Sequence, residues 1–192
     1  MAEQSLSELT SESAAEIYRL FEVRGASLYG GEGVTQLEHG LQAAMLAEQE
    51  GADPALIVAA LLHDVGHLLH DLPDDAPDNG VDDVHEALGA DWLRSRFPPE
   101  VLEPVQQHVA SKRYLCATEQ GYWDALSEPS KVSLELQGGP MNAAEVDAFE
   151  QGEHFEACVR LRRWDDLAKV VGLETPPLEH FMTLVDRVAL RS

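Results

Sequence analysis

Basic residues are scarce in this chain: 13 lysines and arginines stand against 35 aspartates and glutamates, a formal net charge of −22 over 192 residues. Nucleic acid is therefore not an expected partner, because binding a phosphate backbone needs a basic stripe. The acidity reads as a solubility or salt-adaptation feature, and a field of that sign also attracts a cationic substrate. Cysteine is limited to Cys116 and Cys158, which form no close-spaced motif and no disulfide framework. Long apolar runs are missing: nothing approaches the ~20 residues that span a bilayer, so no membrane association is expected. The opening residues Met1-Ala2-Glu3-Gln4-Ser5 carry no basic stretch followed by an apolar one, and a cytoplasmic location is the expectation. Oligomeric state is left open.

What is present is helical periodicity, with 44% apolar residues and no clear strand alternation. The spacing predicts a first helix over 11–24, then a loop from Gly25 to Gly33 with four glycines in its nine residues. Thr35-Gln36-Leu37-Glu38 forms a capping-box pattern that opens a helix carrying His39 to about Gln49. Asp53 and Pro54 suit the N-cap and first position of the next helix, expected to run to Leu69 and to be buried all round. An acidic loop, Asp71 to Asp82, precedes a helix over 83–96 with His85, closed by Pro98-Pro99. His108 falls in a helix over 100–117. Asn142-Ala143-Ala144-Glu145 is a second capping box, and Trp164-Asp165 belongs to a helix ending near Gly172. A last helix follows Pro176-Pro177.

The chemistry is concentrated in His39, His63-Asp64, His85, His108 and Asp165, since imidazole and carboxylate are ligands for iron, manganese, cobalt and zinc. His63-Asp64 interrupts the apolar run Ala59-Ala60-Leu61-Leu62…Val65-Gly66-His67-Leu68. A charge there costs several kcal/mol unless it is paired or bound to a cation. His67 is four residues beyond His63, on the same face of the expected helix, and should reach a neighbouring ligand or the substrate. His70, His154 and His180 read as ordinary surface or core residues. Lys112-Arg113 and Arg160, Arg162 and Arg163 are local basic clusters in an acidic chain, which suggests one bound anionic group.

The order His39…His63-Asp64…Asp165 resembles the HD-domain superfamily, an all-helical fold whose members are mostly metal phosphohydrolases, and the resemblance covers about residues 35–170. It implies an all-α HD-domain helical bundle forming one domain over 1–192. The metal-site core occupies about 35–170, the first helix and a glycine-rich lid 11–34, and a closing helix 177–192. His85 and His108 exceed what one metal needs and imply a dinuclear site with metals about 3.5–4 Å apart. Further segments point to one branch. Tyr29-Gly30-Gly31-Glu32, Gln36-Leu37-Glu38-His39, His108 to Leu115, Leu136 to Met141 and Arg162-Arg163-Trp164-Asp165 together resemble the PhnZ-type phosphonate oxygenases, relatives of myo-inositol oxygenase.

That resemblance implies an enzyme: a mixed-valent Fe(II)/Fe(III) oxygenase that uses O2 to cleave the C–P bond of a small 1-hydroxyphosphonate. The products are phosphate and a carboxylate, glycine betaine or glycine. The implied ligands are His39, His63, Asp64, His85, His108 and Asp165, with Asp64 bridging. Tyr29 takes a gating role, Glu32 meets the substrate's amine, and Lys112, Ser130 and Arg162 hold the phosphonate. Asp64, His67 and Tyr29 stand nearest the chemistry. The family's aminoethyl enzymes carry a bulkier residue at Gly30, so a glycine there favours the N-trimethylated substrate. A metal-dependent phosphohydrolase, with the same fold and nearly the same ligands, is the competing expectation. A binding module with a vestigial site is disfavoured because all six ligand positions are intact.

Overall fold

The computed structural model describes residues 10–71 and 83–191, so the acidic loop expected over Asp71–Asp82 lies, apart from Asp71, outside the described residues. Within them the all-α expectation holds: the regular structure is helical, with one isolated bridge between Leu28 and Thr35. Helix α1 spans Glu12–Arg24, with Ser11 as N-cap accepting from the Ala14 amide. Helix α2 covers Gln36–Gln49, and both halves of the Thr35/Glu38 capping box are formed. Such a cap is worth about 1 kcal/mol, which fixes where α2 begins and so where His39 sits. Asp53 and Pro54 open α3, Pro54–Leu62, as their chemistry predicts.

The long central helix expected to Leu69 is not continuous. Helix α3 ends at Leu62; His63 keeps helical angles, Asp64 leaves them (φ −103, ψ 16), and Val65–Leu68 is a 3₁₀ turn. Tertiary packing explains the break. A Cβ on Gly66 would lie 2.0 Å from the His85 carbonyl oxygen, so the turn is pressed directly against the start of α4, His85–Leu93. The close approach is available only to glycine. The same intimacy recurs where α2 crosses α3, with a Cβ on Gly40 falling 2.8 Å from the Leu61 carbonyl.

Helix α4 begins at His85 rather than Asp83 because Val84 adopts a left-handed conformation (φ 46) that cannot continue into a helix. Helix α5 is Pro99–Thr118. Two short helices follow that periodicity did not reveal, α6 over Tyr122–Ala125 and α7 over Glu128–Leu136. Helix α8 is Ala143–Glu150, capped by Asn142 and Glu145 as expected. Helix α9, Phe155–Leu167, stops five residues short of Gly172, and α10 is Leu178–Val188.

The core forms around α3, whose residues from Leu56 to Leu62 are all buried. It packs against α2, α5, α9 and α10, while α4 lies on α5 and on the 3₁₀ turn. Burial of each large aliphatic side chain contributes about 1.5–3 kcal/mol, so α3 is the element on which the others are registered. Its C-terminal end delivers His63-Asp64 into the middle of the molecule.

Candidate metal centre

Five helices contribute to one buried point. His39 comes from α2, His63-Asp64 from the end of α3, His85 from the first residue of α4, His108 from the middle of α5 and Asp165 from α9. All six are buried. The helix break decides how Asp64 is used. Its carboxylate is not rotated onto another face, as an unbroken helix would require, but stands between two groups of imidazoles. Asp64 Oδ2 lies 3.3 Å from Nε2 of both His39 and His63. Asp64 Oδ1 lies 3.3 Å from His85 Nε2 and 3.2 Å from His108 Nε2. Asp165 Oδ1 joins the first group, 3.3 Å from His39 Nε2 and 3.8 Å from His63 Nε2.

These spacings suit a metal. With bonds of about 2.1 Å, ligand atoms at right angles are about 3.0 Å apart and at tetrahedral angles about 3.4 Å apart. The ring nitrogens make the same point chemically. Nδ1 of His39, His63 and His108 donates to the carbonyls of Ala168, Ala60 and Val105 at 2.8, 2.8 and 2.7 Å. In the neutral ring each Nε2 then presents a lone pair. Those lone pairs face one another, 3.0 Å apart between His39 and His63 and 3.0 Å between His85 and His108. Both oxygens of Asp64, and Oδ1 of Asp165, are buried without a hydrogen-bond partner. Lone pairs converging on lone pairs demand something positive between them, and the donor set fits cations on both sides of Asp64.

Without a metal that positive charge arrives as protons. Burial opposes a charge on His39, but Asp165 and then Asp64 overturn it and push the imidazole up to about 9. His85 is likewise opposed by burial and pushed up to about 10 by Asp64 and Asp83. Burial also works against charge on Asp64, yet the surrounding imidazoles, His63 first, hold it well below the usual carboxylate range.

Asp83, which sequence reasoning missed, orients this side. Its Oδ1 accepts from His85 Nδ1 at 2.8 Å, while Oδ2 lies 2.8 Å from His67 Nδ1 and 3.2 Å from His70 Nε2. A carboxylate behind a ligating imidazole fixes its ring and its tautomer. His67 stacks on His85 with ring centres 4.0 Å apart, and one of its nitrogens is within 4.8 Å of ligand atoms of Asp64 and His85. His70, read as ordinary from sequence, thus belongs to the same network.

Above His39 lies Tyr29, its ring stacked at 3.9 Å and 18°. Burial, then the carboxylates of Asp64 and Asp165, hold its phenol well above the usual range, so it stays protonated. Beside it the basic residues converge. Lys112 is buried and donates to Ser133 Oγ at 2.8 Å; burial and the nearby Arg162 guanidinium push it down to about 7. Ser130 Oγ accepts from Lys169 at 3.1 Å, and Lys169 was not singled out by sequence reasoning either. Arg162 has more to do than expected. It forms an ion pair with Asp165 Oδ2 at 2.7 Å and donates to the Tyr122 hydroxyl at 3.2 Å and to Asp166, so it also positions a carboxylate of the centre. Glu32 reaches in from the glycine-rich loop, with Oε1 buried and without a hydrogen bond.

A model of the HD domain matches residues 37–189. The chain belongs to the HD-domain family. Among its relatives, hydroxymethylphosphonate dioxygenase of Gimesia maris is 45% identical over 183 residues, covering 95% of this chain and 90% of the relative. The glycine-betaine-forming 1-hydroxy-2-(trimethylamino)ethyl phosphonate dioxygenase of Leisingera caerulea is 42% identical over 189 residues, covering 98% of this chain and 96% of its own. An uncharacterized protein of Acanthamoeba polyphaga mimivirus is 36% identical over 172 residues, with 88% and 78% coverage. This HD-domain chain is therefore similar to phosphonate dioxygenases over nearly its whole length.

Proposed function

We propose that the chain is a dioxygenase that cleaves the carbon–phosphorus bond of a small 1-hydroxyphosphonate bearing a nitrogen cation. The favoured substrate is (R)-1-hydroxy-2-(trimethylammonio)ethylphosphonate, and the products are glycine betaine and phosphate; the primary amine would give glycine. The reaction balances as RCH(OH)PO3²⁻ + O2 → RCO2⁻ + H2PO4⁻. The observation that carries it is Asp64: a buried carboxylate with two unpartnered oxygens, each turned to its own pair of histidines. Both named dioxygenases among its relatives support oxidation of a 1-hydroxyphosphonate, and the Leisingera caerulea one is named for a substrate that carries the nitrogen cation.

His39, His63, Asp64 and Asp165 would hold one iron, and Asp64, His85 and His108 the other. Bound as an Fe(II)/Fe(III) pair, they would supply the binding and reduction of O2. The chain's own residues do the rest. Lys112, Ser130 and Arg162 hold the phosphonate, a dianion that calls for cations and hydroxyl donors. Glu32 faces the nitrogen end. Tyr29, packed on His39, covers the centre until the substrate moves it aside, and the glycines around it let the loop close and exclude water. His67, braced by Asp83, stands where it can hold a proton from the substrate's hydroxyl. No helix among the described residues is long and apolar enough to cross a membrane. We place the activity in the cytoplasm, where Cys116 and Cys158, unpaired here, stay reduced.

The test is O2 uptake by anaerobically purified, iron-loaded protein offered a panel of 1-hydroxyphosphonates. One O2 consumed per phosphate released is the expected result. Turnover of ordinary phosphate esters without O2 would replace this reading with that of a phosphohydrolase.

A further inference from the structure

Lys169 occupies a junction that the proposed mechanism does not use. It follows the end of α9 directly, where the Ala168 carbonyl accepts from His39 Nδ1 at 2.8 Å. One residue on, the Val170 amide donates to Gln42 Oε1 at 3.0 Å and its carbonyl accepts from Gln42 Nε2 at 2.9 Å. Lys169 is thus fixed between two points on α2, and its side chain is only 11% exposed. Its ammonium donates to Ser130 Oγ at 3.1 Å, stands 4.0 Å from Glu32 Oε1 and lies 5.5 Å from the centre of the Tyr29 ring. One cation of the chain therefore bonds the residue assigned to the phosphonate and stands near both Glu32, assigned to the nitrogen end, and Tyr29, assigned to the cover.

The pair it makes with Glu32 is loose. At 4.0 Å there is no hydrogen bond, and Glu32 Oε1 is buried without any other partner among the described residues. The side chain is 16% exposed, so solvent compensates part of the charge, but its buried oxygen has no hydrogen bond and a better-placed cation would be favoured there. Resting on the substrate reading above, we infer that Lys169 and Glu32 form an exchangeable ion pair that selects a substrate carrying both charges. The phosphonate draws the Lys169 ammonium to its own oxygens beside Ser130, and the substrate's nitrogen cation takes the vacated place at Glu32. Every charge then ends with a partner. A 1-hydroxyphosphonate without nitrogen also draws on Lys169 but leaves Glu32 with nothing in exchange, so the pair selects against it.

The experiment compares kcat/KM of the iron-loaded wild type, Glu32→Gln, Lys169→Met and the double variant. Each is offered (R)-1-hydroxy-2-(trimethylammonio)ethylphosphonate and hydroxymethylphosphonate. Binding of the unreactive 2-(trimethylammonio)ethylphosphonate and of methylphosphonate is measured by calorimetry on the same proteins. Metal content and melting temperature confirm that each variant is folded. The preference for the zwitterion should fall about tenfold or more in Glu32→Gln. In Lys169→Met both substrates bind more weakly, the nitrogen-free one more so, and the preference rises several-fold. Adding Lys169→Met to Glu32→Gln should leave the preference nearly where Glu32→Gln put it. An equal rise in KM for both substrates in Lys169→Met would reduce Lys169 to a plain phosphonate contact and overturn the exchange. If the wild type oxidises neither compound, the functional reading fails, and the calorimetric preferences still decide the pair.

Discussion

The metal centre and the loop that covers it are built in opposite ways. In the centre, each of the four histidines has its Nδ1 tied down, three to backbone carbonyls and His85 to Asp83, and no ligand candidate is more than 8% exposed. The loop from Gly25 to Gly33 is anchored at its base, where Ser27 and Gly25 carbonyls accept from the Gln36 and Leu37 amides at 2.9 Å, but its tip has Gly30 and Gly31 at positive φ and, in Glu32, a buried oxygen with no hydrogen bond. A metal tolerates little error in ligand position, so the framework over-determines it. A cover that must admit a substrate and shut out water needs somewhere to give, and the two glycines at the tip with a loosely paired carboxylate supply it. On the proposed function, the difference leaves metal binding and O2 chemistry with the framework, and substrate choice with the loop and its partners.

The most direct way to break this division is Asp64→Ala. Because Asp64 faces both groups of histidines, the proposed dinuclear site should be lost whole: content falls from an expected two metals per chain towards none, and O2-dependent phosphate release disappears. His85→Ala and His108→Ala should each weaken mainly the metal on their own side. Elemental analysis finding one tightly bound metal in active wild type would remove the dinuclear reading.

Next in size are the cations between framework and loop. Lys112→Ala should raise the substrate's KM by about 10- to 100-fold with metal content intact, the cost of roughly 1.5–3 kcal/mol for a charge-assisted hydrogen bond. Arg162→Ala should raise KM and also lose metal, because Arg162 holds Asp165 Oδ2 at 2.7 Å; loss of such a support costs about 10- to 100-fold in metal affinity. Iron content separates the two variants. An Arg162→Ala protein with full iron would place that guanidinium on the substrate side alone.

A smaller effect comes from protons competing for the framework. In the metal-free protein His39 titrates up near 9 and His85 near 10, both above the ordinary value. Groups raised on folding stabilise the metal-free protein fully below pH ~6.5, and that contribution fades as pH climbs through 9 and 10. Metals must displace those protons, so loading should weaken as pH falls below about 9 and should release protons into an unbuffered indicator solution. Metal affinity that does not change between pH 6 and 9 would contradict the arrangement of imidazoles and carboxylates described above.

Which parts were legible in the sequence follows from the same division. His63-Asp64 stands out because two polar residues in an apolar run require a partner, and the caps at Thr35, Asp53 and Asn142 are local chemistry that neighbours do not alter. The break after Leu62 is not local. It depends on Gly66 meeting the His85 carbonyl, a contact between segments far apart in the chain, and it is what turns Asp64 towards both groups. Lys169 is illegible for a related reason: a lysine after a helix end is ordinary, and only the Gln42–Val170 hydrogen bonds place it. Asp83 lay closer to hand, two residues before His85, but in an acidic stretch one more aspartate carries no signal.

The finest test of the loop's share in specificity is Gly30. A Cβ built there meets no atom within 4 Å, so the position borders open space, and its φ of +21 lies where side chains are disfavoured. Gly30→Ile therefore does two things at once. It strains the loop, which should lower kcat/KM by a similar factor on every substrate. It also places bulk beside Tyr29, which should matter only for a substrate that needs the room. A primary ammonium keeps its N–H donors for Glu32 and demands little volume, whereas a trimethylammonium has no N–H and depends on space, aromatic faces and diffuse negative charge. The ratio of kcat/KM on the trimethylated and primary-amine substrates cancels the shared strain and isolates the bulk. That ratio should favour the trimethylated compound in the wild type and fall in Gly30→Ile. A wild-type preference for the primary amine would reassign the substrate while leaving the oxygenase reading in place, because the framework that carries that reading does not include Gly30.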